Sequence, residues 1–346
     1  MESATLLGFI LVVIAGLGTG SCLWPMRLIR GFRFEQCWFI AMLLGLILIP
    51  WGIVLGAIRD PWTAYAAVGG ERLVISNLFA IAWGIANVLA GICVLRIGFS
   101  LGGSILTGVG LIVSVVVPMI FPGTFSKAPA LLSSAGRMIM VSMAVILVGV
   151  VLSAMAGFGR ERAIRSQAEP VRWASGGFLG GLLLTILAGV LSAGMQLANA
   201  YGHDPIVGQM AARGVGLIPR EMSFWAVGLL GGALVNVLYP TVLMSARKSW
   251  RVLLQHPGEI LLSLVIGGQI MLAFALFGYG RTQMGRFGDS QAPGVQLAMQ
   301  IIGGLVVGFL AGEWRNVPGK PRIQICAAIV VLVIGAVLMT YARTLS

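Results

Sequence analysis

The side chains with chemistry to offer in this 346-residue chain are amides, hydroxyls and a tryptophan set deep in apolar runs. Trp83 and Asn87 are spaced i, i+4, so on a helix they share a face. Ser192, Gln196 and Asn199 follow at i, i+4, i+7, and Gln296 and Gln300 at i, i+4. Thr107, Asn236 and Gln269 each lie within a further apolar run. Polar groups at such depth are costly unless paired, so they should face an interior or a watered cleft. For any single amide, a hydrogen bond between helices meets that need. As a set beside an indole, they suit an uncharged polyhydroxyl solute. Amides exchange paired hydrogen bonds with neighbouring hydroxyls, and indole covers the apolar face of a pyranose ring. An anionic or nucleotide ligand would call for Arg or Lys at the same depth, and none is there.

The elements that must position these residues follow from the charge distribution. The chain carries 23 Lys+Arg and 11 Asp+Glu, 10% charged in all, against 58% hydrophobic residues. Soluble domains carry about 25% charged residues. Every charge falls outside ten uncharged runs of at least 20 residues: 4–26, 36–58, 73–95, 97–126, 138–159, 173–203, 222–246, 260–280, 290–312 and 323–342. A hydrocarbon core about 30 Å thick needs roughly 20 apolar helical residues. The runs do not alternate as barrel strands do. The expected fold is therefore an all-α integral membrane protein of ten transmembrane helices. The longest connection expected is 204–221, which leaves no room for a soluble module.

Fourteen of the basic residues lie in connections 1, 3, 5, 7 and 9. Basic residues favour cytoplasmic loops. That places both termini outside, periplasmic in a bacterial inner membrane, and accounts for the net charge of +12 without nucleic acid. The polar connection 159–172 divides the chain into 1–158 and 173–346. The two parts echo each other: GFILVVIAGLGT from Gly8 aligns with GLLLTILAGVLS from Gly181, and VILVGVVLSAMA from Val145 with VLVIGAVLMTYA from Val331. An odd number of spans per half predicts two inverted five-helix repeats, with a site near the midplane. Gly16-xxx-Gly20, Gly228, Gly231 and Gly232 predict close helix packing.

The same distribution argues against an enzyme. No Asp, Glu, Lys, Arg or His falls mid-run, and no HExxH, phosphate-cradling glycine loop or nucleophile motif is present. His203 and His256 fall in or beside connections, with His203-Asp204 expected in an exposed turn. Cys22, Cys37, Cys93 and Cys326 form no CxxC pair and read as buried packing residues. Neither a metal nor a cofactor is expected, and the expected partners are a small neutral sugar, a proton and the bilayer.

Five stretches resemble the L-rhamnose–proton symporter family, of the drug/metabolite transporter superfamily. They are WGIANVLAGICVLRIGFSLGGSILTGVGLIVSVVVPMI from Trp83, IPWGIVLGAIRDPWTAY from Ile49, GVLSAGMQLA from Gly189, FEQCW from Phe34 and GEWRNVPGKP from Gly312. The resemblance implies ten helices with outer termini and uptake of a deoxyhexose coupled to a proton gradient. The sequence departs from the family pattern around Asn199, Gln269–Ala273 and Gln296, where a sugar would be read. Symport requires a group that binds and releases a proton. Glu35 and Asp289, at span ends, match acidic positions of the family and are the candidates. The competing reading is that each caps its helix. Glu221 and Glu259 are expected to cap as well, and Glu313 to act as an inner gate or cap. An exporter or facilitator of another metabolite is the alternative function. A non-transporting sugar sensor is a further one, disfavoured because no output domain is evident.

Overall fold

The computed structural model describes residues 2–97, 99–121, 123–125, 129–165, 178–285, 288–315, 317 and 319–345. Helices dominate: α1 (Glu2–Ser21), α2 (Phe34–Met42), α3 (Ile49–Ala57), α4 (Pro61–Val68), α5 (Gly70–Ile97), α6 (Phe99–Ile120) and α7 (Ser134–Arg165). They continue with α8 (Phe178–Ser192), α9 (Gly194–Ala212), α10 (Leu217–Ser223), α11 (Leu230–Ala246) and α12 (Val252–Gln255). The last are α13 (Pro257–Gln283), α14 (Gly288–Leu310) and α15 (Lys320–Tyr341). Among the described residues, nine helices are long and apolar enough to cross a membrane. Counting the pair Leu217–Gly228 and Leu230–Ala246, bent by 61°, as one broken span gives ten.

Two spans contain π turns, Leu43–Leu48 between α2 and α3 and Phe224–Gly228 between α10 and α11. A proline inside a helix cannot donate to the preceding turn and crowds its carbonyl. Pro50 stands two residues beyond the first π turn, whose wider spacing accommodates it. The second π turn leads into Leu229 and the bend. The sixth span breaks at Ala193, between α8 and α9. Outside the spans, Asp60 caps α4 by accepting from Thr63 N–H, and the Thr63 hydroxyl and N–H hold its carboxyl below the usual range.

The spans interleave. α1 packs along α13 and α14, and α8 and α9 pack along α5 and α6. α2 lies against α11, and α7 against α15. The sequence halves are therefore not two separate bodies, because each contributes its first span to a bundle made mostly from the other. The face where α1 begins and α15 ends is called the terminal face here.

Several expectations change. The helix that includes His203-Asp204 runs on to Ala212, so 204–221 is not a loop, and α10 begins at Leu217. The expected turn is helical because Pro205 is tolerated within α9, whose neighbours enclose it. The connection 159–172 begins as helix, since α7 reaches Arg165. Its residues 166–172 lie outside the described residues, as do the first residues of the sixth apolar run, 173–177. Cys22, Cys37 and Cys93 are buried, but Cys326 is exposed on an outward face of α15.

Candidate functional site

Where the two bundles meet, side chains enclose a cavity of about 260 Å³. That is slightly below the roughly 300–1,000 Å³ usual for small-molecule sites. Its wall includes Trp83 and Asn87 of α5, Thr107 of α6, Gln196 of α9, and Gln296 and Gln300 of α14. These are six of the nine residues expected from sequence to read a solute. The shared faces hold: the i, i+4 pairs Trp83/Asn87 and Gln296/Gln300 both look inward.

The amides are oriented by one another. Asn87 Nδ2 donates to Asn236 Oδ1 at 3.0 Å, and Trp38 Nε1 donates to the same oxygen at 3.3 Å. Asn236 Nδ2 in turn donates to Gly232 O at 2.9 Å on its own helix. Asn236 thus stands behind the wall and holds Asn87 and Trp38 in place rather than facing the cavity. Gln196 Nε2 donates to Gln296 Oε1, joining the bundles at mid-depth, while Gln196 Oε1 is buried with no partner among the described residues. Trp83 meets Phe274 edge-on at 6.0 Å between ring centroids, so indole and phenyl form an apolar corner beside the amides. Thr107 and Ser192 donate to their own helices, to Gly103 O and Gly189 O, leaving hydroxyl lone pairs for the cavity. The lining is neutral, with donors and acceptors on several sides and aromatic faces between them.

Besides Asn236, two expected residues are elsewhere. Gln269 Nε2 donates to Gly18 O and Ser21 Oγ, both at 2.9 Å, and its Oε1 accepts from Trp24 Nε1 at 3.3 Å. It ties α13 to α1, the bridging role open to any buried amide. Asn199 is fully buried, outside the cavity lining, and neither of its amide atoms has a partner among the described residues. Trp38 and Phe274, which line the cavity, were not expected.

The carboxylates also differ from expectation. Glu35 lies in the first turn of α2, yet it is buried and paired with Arg247 Nη1 at 2.8 Å. Asp289, in the first turn of α14, pairs with Arg281, itself 3% exposed. Glu221 is inside α10 and faces His203 Nε2 at 2.9 Å, so it is not a cap. Glu259 accepts from the backbone N–H groups of Arg30, Gly31 and Phe32 at 2.6–2.8 Å, capping another segment rather than its own helix. Glu313 bridges Arg27 and Arg160, and Arg160 lies over the Trp314 ring at 5.7 Å. Among the described residues, no group of three or more His, Cys, Asp or Glu could hold a metal.

Fold and site together define a multi-pass membrane protein with an uncharged cavity between its helices. The family described as L-rhamnose-proton symport protein (RhaT) matches residues 1–343, and the chain belongs to it. This is a family of transporters, not enzymes. The chain is 26% identical over 344 residues to a protein of Yersinia pestis (strain Pestoides F) named L-rhamnose-proton symporter, covering 97% of each. It is 27% identical over 335 residues to one of the same name from Mannheimia succiniciproducens, covering 93% of each. Among solved structures, one chain aligns over 100% of this chain with a TM-score of 0.49 and 16% identity.

Proposed function

We propose that the protein imports L-rhamnose, or a related deoxyhexose or pentose, together with protons across a bacterial inner membrane by alternating access. The observation that carries this reading is the neutral cavity between the bundles, lined by Trp83, Asn87, Thr107, Gln196, Gln296 and Gln300, in a chain of a rhamnose–proton symport family. Five hydroxyl-bearing or ring-oxygen positions of a deoxyhexose meet amides and hydroxyls, and its methyl and ring C–H face meets Trp83 and Phe274. Asn199, Asn236 and Gln269 support the cavity from outside it.

We assign residues 1–158 and 173–346 to two inverted repeats joined by 159–172, with both termini and the terminal face outside. The packing pattern supports the repeat. Exchanging the first five spans with the last five maps the α1–α13 and α1–α14 contacts onto α8/α9 with α5 and α6. It maps α2 with α11, and α7 with α15, onto themselves. The π turns fall in exchange-related spans. The bodies that rearrange are then the interleaved bundles, α1/α13/α14 against α5/α6/α8/α9. Both carboxylates chosen from sequence as proton carriers, Asp289 and Glu35, are buried and ion-paired.

Purified protein in liposomes is expected to accumulate labelled L-rhamnose when the lumen is alkaline and not when the gradient is collapsed. Uptake that ignores the pH gradient removes the proton coupling, and a panel in which another solute class stabilises the protein while rhamnose does not removes the substrate. Gln300→Leu gives a sharper check. Its amide faces the cavity without a hydrogen bond to another described residue. The substitution should weaken rhamnose binding about tenfold, the upper worth of a neutral hydrogen bond, while leaving the melting temperature close to that of the native protein. Calorimetric titration measures the first and thermal unfolding the second.

A further inference from the structure

We propose that the cluster of buried His203 and Glu221 with half-exposed Asp204, clasped by Arg281 and Asp289, is the proton-binding site and outer gate of this transporter. The inference rests on the proton-coupled reading above and names where its proton sits.

A neutral imidazole has one N–H and one lone pair. At His203 both ring nitrogens lie within hydrogen-bond distance of carboxylate oxygens, Nδ1 at 3.2 Å from Asp204 Oδ1 and Nε2 at 2.9 Å from Glu221 Oε2. A neutral imidazole can donate to only one of these carboxylates. One further proton, on the ring or on a carboxyl group, would let both contacts be hydrogen bonds at once. His203 is 0% exposed and Glu221 5%. Asp204 is half-exposed, on a recess of about 370 Å³ at the terminal face lined also by Arg220, Tyr279, Thr282 and Gln283. That recess gives the cluster its route to the outer solution.

The surroundings of His203 are specific on every side. α10 brings Glu221 and Arg220, α13 brings Arg281 and α14 brings Asp289 through Arg281. The π turn presents Phe224, 5.3 Å from the imidazole between centroids. α5 presents Ser76, and its Glu71 and Arg72 are exposed. α4 presents Tyr65, whose hydroxyl donates to Ser223 O and whose phenol is pushed up by burial. α6 and α8 carry no ionisable side chain. α13 approaches closely because residue 278 is glycine: a Cβ there would come within 3.1 Å of His203 Nε2.

The same groups close the terminal face. Arg281 Nη2 reaches Asp204 at 2.6 Å, tying α13 to α9 and so one bundle to the other, while Nη1 holds Asp289 of α14. Every residue from Gly288 to Gln296 is buried, so the outer half of α14 is enclosed on all sides. Asn199 lies one turn below His203 on the same face of α9, buried and with both amide atoms unpartnered among the described residues, and Gln196 lies a further turn along, at the cavity. Such unused donors and acceptors support a hydrogen-bonded chain of water. The proton enters from the outer recess, is trapped as the gate closes, and leaves along Asn199 and Gln196 to the cavity between the bundles. Its loss leaves an imidazole lone pair facing a carboxylate, and that repulsion parts the gate for the next cycle.

The test compares native protein with Glu221→Gln and Asp204→Asn in liposomes, reading pH-driven L-rhamnose accumulation and gradient-free rhamnose exchange. A one-unit pH gradient supports about a tenfold accumulation at one proton per sugar. The native protein should approach that value. Both variants should stay near onefold while retaining exchange to within about threefold of native, with rhamnose-induced proton uptake lost. Native-like accumulation in either variant overturns the site while leaving the symport reading intact. Loss of exchange together with accumulation in both variants overturns it too, since the cluster is then only structural. Native protein that exchanges rhamnose but never accumulates it overturns the symport reading itself.

Discussion

Arg281→Leu should be the most damaging single substitution in this protein. The guanidinium is 3% exposed and serves both Asp204 and Asp289, the latter also 3% exposed. Removing it takes the neighbouring positive charge from buried Asp289 and leaves Asp204 and Glu221 facing each other across His203 with less positive charge nearby. Breaking one side of a buried ion pair costs about 3–5 kcal/mol, because the remaining charge is held away from water without its counter-charge. The expected result is a large fall in the melting temperature and in the yield of monodisperse protein. The double variant Arg281→Gln/Asp289→Asn should recover a substantial part, since amides replace the charges and can hydrogen-bond to each other. Thermal unfolding of the three proteins decides it. A single variant as stable as native, or a double variant no better than the single, contradicts the account.

Gly20→Val should be nearly as severe, for a steric reason. A Cβ at Gly20 falls inside contact distance of the Gln300 backbone carbonyl, and Gln300 Cα would lie 2.9 Å away. α1 and α14 meet here backbone to backbone, as small-residue interfaces in membranes allow. Overpacking usually costs about 1–3 kcal/mol when side chains can shift, and here the obstacle is main chain, so the cost lies at or above that range. α14 must move outward, taking Gln300 and Gln296 from the cavity wall. Rhamnose binding should fall together with stability. Gly52→Val is the matched control: nothing lies within 4 Å of a Cβ on that outward face of α3, and its binding and melting temperature should stay native. Equal behaviour of the two variants would remove the packing argument.

Much of this architecture is legible along the chain. Hydrocarbon accepts only residues that bring no unpaired charge, so the separation of apolar runs from charges shows where the spans lie. The same cost makes Trp83, Asn87, Gln196, Gln296 and Gln300 conspicuous, and helical spacing shows which of them share a face. These rules concern one helix in one solvent. Which amide meets a cavity and which meets another helix depends on the neighbour across the interface. Asn236 and Gln269 look like the lining residues in sequence, yet one braces Asn87 and the other bridges to Gly18 and Ser21. The charged cluster at the terminal face was the least visible part. His203, Glu221, Arg281 and Asp289 sit at span ends, where a linear reading assigns turns and caps. Only folding shows that α9 and α13 run on past the apolar segments and bring these four together away from water. Local composition could set the depth of each residue in the membrane. The partners that turn depth into a site come from segments a hundred or more positions away, as Gln196 and Gln296 or Asn87 and Asn236 do, and only tertiary packing selects them.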